Sequence, residues 1–150
     1  MAKLYASIGG VEGIPDWSQA AKSIEDYSAA SKEKFVRGIE KQVGPHGFMI
    51  FQEFNHGAWI PLFGVGDGLK SKRVVLGNPL IAITMLKRDL TAGLAVPVEL
   101  LVSEKKEGGV DLVYQLPSAL IAGLNRDEGL VTAVAELDKK LEILVKDVAS

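Results

Sequence analysis

His56 is the side chain in this sequence best placed to do chemistry. It ends the run Phe48-Met-Ile-Phe-Gln-Glu-Phe54 through Asn55, and Gly57 and Trp59 follow it. An imidazole at the end of a strand titrates near neutrality, takes a metal, or moves a proton as acid or base. Glu53 and Asn55 are the neighbours that would orient it. A second candidate is the junction Gly77-Asn78-Pro79, where a strand stops and a helix starts. Free backbone N–H groups and the positive end of the helix dipole meet at such a junction, although Pro79 removes one donor and Asn78 is itself a capping residue. Tyr114 is the third polar group of interest. His56, Asn55, Trp59, Gly77, Asn78 and Tyr114 are therefore expected around the mouth of a pocket walled by apolar side chains.

Other motifs fail on spacing or context. Gly64-Val-Gly-Asp-Gly-Leu-Lys70-Ser71 resembles a phosphate loop, but Leu69 separates glycine from lysine and the segment leads into a strand, where a phosphate cradle must lead into a helix. His46 sits in a Pro-His-Gly turn. The two histidines show neither His-Glu-x-x-His nor any paired metal spacing, and no Gly-x-Ser-x-Gly elbow surrounds Ser103 or Ser118. The sequence has no cysteine, which removes disulfides, thiolate metal sites, iron–sulfur clusters and a cysteine nucleophile.

The elements that must hold these residues are written in capping and periodicity. Ser31 before Phe35, Val36, Ile39 and Val43 reads as a helix over 31–43, and Ser23–Ala29 as a short strand feeding it. Residues 1–22 form an extension with a short strand near Lys3–Ile8 and a helical turn after Asp16. Strands are expected at Phe48–Phe54 and Lys72–Leu76, with a short helix carrying Trp59 within Ala58–Val65. Pro79 at the first helical position opens a helix to Ala92, ended by Gly93. Val96–Val102 and Val110–Gln115 flank Glu104-Lys-Lys-Glu-Gly-Gly109 as an antiparallel hairpin. A short helix is expected at Ser118–Gly123. Asn125-Arg-Asp-Glu128 matches a capping box opening a helix over 125–148, whose stripe of Leu130, Val134, Leu137, Leu141, Leu144 and Val148 needs a partner surface. That partner is either the sheet or a second copy of the helix.

A chain of 150 residues has the usual size of one domain, with 47% apolar and 24% charged residues, which suits a folded globular protein. Its net charge of −2, with both signs interspersed, offers no footprint for nucleic acid or an anionic membrane. No run reaches about 18 consecutive apolar residues. A single cytoplasmic domain is the expectation.

The run 47–123 resembles a widespread prokaryotic domain of unknown function, the family numbered 302. The resemblance rests on the order of Gly47-Phe48, Phe54-Asn55-His56, a strand before Gly77-Asn78-Pro79, an apolar helix, a hairpin, and Tyr114 with Pro117. Family members usually carry an acidic residue before the histidine, where Asn55 stands here. They place a Lys-Ala-Gly-Thr-Pro-like stretch after Gly-Asn-Pro, where this chain has Leu80-Ile-Ala-Ile-Thr84, and Asp or Asn where it has Leu116. The resemblance therefore carries a fold and no site. It implies an α+β protein, a twisted, mainly antiparallel sheet with helices on one face in the TATA-binding-protein-like β-α-β-sheet-α style, pairing as a homodimer.

Three functions follow as expectations. The first is a non-enzymatic binding module for an apolar or cofactor-like small molecule, haem included if His56 were its axial ligand. The second is an interaction protein that works through subunit association. The third is a small enzyme using His56 as acid or base, oriented by Glu53 or Asn55.

Overall fold

Alternation in the strand sequences decides the layering. Val74 and Leu76, Val98, Leu100 and Val102, and Leu112 and Tyr114 fall on one face of the sheet and pack into the core, while Arg73, Glu99, Leu101 and Val113 fall on the other. The computed structural model describes residues 1–9, 24–121 and 125–150. Its strands β1 (Met49–Asn55), β2 (Ser71–Gly77), β3 (Val98–Glu104) and β4 (Val110–Tyr114) form an antiparallel meander in the order β1-β2-β3-β4. The fold is α+β, with an open sheet, as the sequence implied. Helices α1 (Ala2–Ser7), α3 (Pro79–Leu86), α4 (Pro117–Ile121) and α5 (Glu128–Ala149) send Leu4, Met85, Ile121 and Leu141 into the core on the first face. Helix α2 (Ala29–Glu40) buries Ile39 and borders α3.

The stripe on α5 finds its partner inside the chain. Leu130, Val134, Leu137, Leu141 and Leu144 are all buried within the chain, and Val148 is partly buried against the same core. The helix is capped by Asp127, which accepts from the Leu130 N–H at 2.8 Å, and not by Asn125. Asn125 instead turns the chain before the cap, accepting from the Asp127 N–H.

Several expected boundaries move. Ala2–Ser7 is helical where a strand near Lys3–Ile8 was expected: Leu4 and Ser7, three residues apart on one helix face, are both buried, and Ile8 leaves the helix in an extended conformation. Ser28, not Ser31, caps α2, because its hydroxyl accepts from the Ser31 N–H. Asp26 accepts from the Ser28 N–H and the Ser31 hydroxyl just before that cap, and these bonds, the Ser28 hydroxyl foremost, hold its carboxyl at about 2. Residues 24–27 consequently form no strand, and Ser23 and the expected turn after Asp16 lie outside the described residues. The apolar helix stops at Leu86 instead of Ala92. Asp89 caps a new 3₁₀ turn, Leu90–Leu94, by accepting from the Thr91 N–H. The segment carrying Trp59 is two 3₁₀ turns, His56–Ala58 and Ile60–Phe63, with Trp59 between them. Helix α4 covers Pro117–Ile121, and residues 122–124 are outside the described set.

Strand β1 contains one irregularity. Ile50 pairs with Leu76 and Gln52 with Val75, so Phe51 is an extra residue. Beyond it, Glu53 and Asn55 lie on the helix-covered face, opposite Val74 and Lys72.

Candidate functional site

The six candidate residues do not form one site. Asn55 pairs with Lys72 at one end of the sheet, and Met49 pairs with Gly77 at the other. At about 3.3 Å per residue the two ends lie about 20 Å apart. Asn55, His56 and Trp59 thus occupy one end and Gly77 and Asn78 the other. Tyr114, half-buried on β4, packs against the core.

At the His56 end, Glu53 is bonded to Tyr5 and not to the imidazole. The imidazole meets Trp59 edge-on with ring centroids 6.3 Å apart, and among the described residues no hydrogen bond reaches it. Glu53 is engaged elsewhere, because the extra residue in β1 turns it toward α1. There the Tyr5 hydroxyl donates to Glu53 Oε1, and Lys72 Nζ donates to the Tyr5 hydroxyl at 3.2 Å. Burial, then the bond to Glu53, pushes the Tyr5 phenol above its ordinary value, and the bond to Tyr5 does the same for the Lys72 ammonium. Both shifts favour the protonated forms. The trio is a polar contact under a helix, and sequence reading missed it because nothing in the spacing brings Tyr5 to β1.

His46 also has a partner that the sequence hid. Its Nε2 lies 2.9 Å from Asp147 Oδ2, a carboxylate that also accepts from Ser7 Oγ at 3.3 Å and sits 4.0 Å from Lys3 Nζ. The His46 contact, first among several, keeps the Asp147 carboxyl below the usual range. Ser7 reaches the carboxylate and not the imidazole, so the group lacks the serine–histidine bond that a nucleophile needs. It fastens α1 and the turn before β1 to the end of α5.

The Gly77–Asn78 end borders a cavity. Asn78 accepts from the Leu80 N–H at 2.8 Å and donates to the Gly47 carbonyl at 2.9 Å, while its own carbonyl accepts from the Ile81 and Ala82 N–H groups. The first turn of α3 has no donors left for an anion. Gly77 is glycine for room: a Cβ there would lie 3.0 Å from the Pro97 Cβ and 3.4 Å from Phe51. Beside them runs a groove of about 420 Å³, walled by Phe35 and Val36 of α2, Leu80, Ile81, Ile83 and Leu86 of α3, and Phe51, Val96 and Pro97. Its size falls within the range of small-molecule sites, about 300–1,000 Å³. Among the described residues that line it none is acidic, and Lys32 is the one that carries a charge.

Two other hollows each have more than one charged side chain in their linings. One of about 740 Å³ follows the outer face of α2, where Glu33, Lys34 and Arg37 keep their charges in water. Another, of about 440 Å³, lies between β3–β4 and the Leu90–Leu94 turn, and Tyr114, Leu94, Val113 and Arg73 line it. Arg73 pairs with Glu99, lies 5.0 Å over the Phe54 ring, and has a buried Nε without a hydrogen-bond partner among the described residues.

An antiparallel four-stranded meander with one helix-covered face and an apolar groove at its edge defines a small α+β protein of the open-sheet kind. Residues 25–148 match the family described as domain of unknown function DUF302, and the chain belongs to that family. Among solved structures it is similar to the crystal structure of an uncharacterized conserved DUF302 protein from Bacillus stearothermophilus. The two chains are 16% identical, with a TM-score of 0.59 over 96% of each. That likeness supports the fold. No curated protein matches the chain. No helix among the described residues is long and apolar enough to cross a membrane, and none of their His, Asp and Glu side chains form a group of three able to hold a metal ion.

Proposed function

We propose that this protein is a non-enzymatic binding module whose groove between α2 and α3 takes a small, mainly apolar molecule. The observation that carries the reading is the groove itself: about 420 Å³, with aliphatic and aromatic walls and its one amide, Asn78, already committed to the backbone. Burial of apolar ligand surface is then the main driving term, worth about 25 cal/mol per Å² before the costs of association. His56 stands at the other end of the sheet and does not line this groove, so its residues do not suit haem with His56 as axial ligand.

Binding is read directly with the neutral dye Nile red, whose emission rises on entering an apolar site. Ile83→Trp places an indole on the groove wall at a half-exposed position, so the fold should tolerate it. It is expected to lower dye affinity at least about tenfold, while His56→Ala leaves affinity unchanged. Equal binding by wild type and Ile83→Trp would remove the groove from consideration.

The bare face of the sheet favours a second reading, association of two copies. Phe54 and Val113 are 36% and 53% exposed there, and Leu94 beside them is 96% exposed. Apolar surface of this kind commonly marks a protein contact. Sedimentation equilibrium at micromolar concentration should return a dimer for the wild type and a monomer for Val113→Glu. A wild-type monomer sinks this reading.

A further inference from the structure

The groove's lining also bears on the class of molecule it would hold. Of the described residues that line it, Lys32 alone is charged, and it sits on α2 one turn before Phe35 and Val36. Its ammonium has no ion pair among the described residues, whereas the neighbouring Glu33 is paired with Arg37. The two other polar sources at the rim are spent, since Asn78 uses both ends of its amide and the first-turn N–H groups of α3 are bonded to Asn78. A lysine stem can lie along apolar wall while its head stays at the water boundary. Among the described residues the groove thus offers an apolar interior, no competing carboxylate, and a single cation in its lining.

Resting on the binding-module reading above, we infer that the preferred ligand is an amphipathic monoanion: an apolar body in the groove and one carboxylate or similar acidic group paired with Lys32. An uncharged molecule of the same body gains the burial and loses the pairing. A dication or a polar zwitterion gains neither.

Decanoate and methyl decanoate separate these terms, because they share a chain and differ in charge at pH 7. Each is titrated against Nile red bound to the full-length wild type and to Lys32→Met, a variant that keeps most of the apolar stem. For the wild type, decanoate is expected to displace the dye about three- to fivefold more effectively than its ester, as befits a pair at a solvent boundary, with the advantage shrinking as salt rises. In Lys32→Met the two should be equal. Equal displacement from the wild type overturns the inference and leaves the groove reading intact, and an advantage that persists in Lys32→Met overturns it by placing the anion elsewhere. If the dye binds but neither compound displaces it, the inference falls and the groove reading stands or falls on Ile83→Trp; if the dye does not bind at all, both readings fall.

Discussion

Replacing Gly9 with alanine is expected to destabilise the protein by on the order of 4 kcal/mol or more. A Cβ on Gly9 would stand 1.6 Å from the Gln42 carbonyl oxygen and 2.7 Å from the Gly44 nitrogen, both backbone atoms that no rotamer change moves aside. Gly44 is crowded reciprocally, with its own Cβ position 2.6 Å from the Ile8 carbonyl carbon. Neither glycine has a positive φ, so what matters is space for two crossing backbones, not backbone freedom. The crossing carries hydrogen bonds: the N–H groups of Gly9 and Gly44 both donate to the Phe48 carbonyl, at 2.9 and 2.8 Å, and the Ile50 N–H donates to Gly9 at 3.0 Å. Separating the two segments by the ångström or more that a methyl demands would break these bonds together. Gly38, inside α2 with open space around it, is the control. The same change there should stabilise by about 0.5–1 kcal/mol, since alanine is the better helix former. Urea unfolding of both variants, followed by far-ultraviolet circular dichroism, checks the pair. A Gly9→Ala midpoint equal to wild type would show that the crossing is not as tight as the distances say.

Leu141→Ala should cost about 2–5 kcal/mol, the range for emptying a leucine-sized space in a well-packed core. Leu141 is fully buried, in the middle of the α5 stripe that meets Leu4, Met85 and the sheet. Ile143, two residues on and 49% exposed, should lose less than about 0.5 kcal/mol when truncated. Denaturant titration measures both. The contrast also tests what the stripe is for, since a stripe joining two subunits would make the Leu141→Ala transition depend on protein concentration. In the Val113→Glu background, where the bare face no longer pairs, no such dependence is expected, because the buried part of the stripe finds its partners within the same chain.

Local patterns are legible in the residues, and long-range contacts are not. The α5 stripe, the Gly77-Asn78-Pro79 start of α3 and the polar turn between β3 and β4 were legible, because each is a local signal: a period, a cap, a pair of glycines. The Gly9–Gly44 crossing was not, because two glycines thirty-five positions apart carry no mark of their proximity. Helix α1 was misread as a strand because its few apolar residues fit either period. The end of the helix at Leu86 was missed because Gly93 looked like the stop, whereas Asp89 captures the Thr91 N–H first. The candidate site suffered most. His56 and Asn78 both stand at strand ends, but only the register shows that they are opposite ends. The groove's walls, Phe35 and Val36 with the apolar turns of α3, were read correctly as apolar faces. That the two faces border one cavity depends on how the helices pack, which periodicity does not encode.

The extra residue in β1 acts as a phase shifter along that strand. Up to Ile50 the even positions look toward the helices; after Phe51 the odd ones do, which is why an acid at 53 ends beneath α1 and an aromatic ring at 54 lies out on the bare side. Read without that slip, the motif would place Glu53 in solvent and Phe54 inside. A relative lacking the insertion should therefore show its acid and its ring exchanged by one position, so aligning such chains by letter alone would superpose residues that face opposite ways.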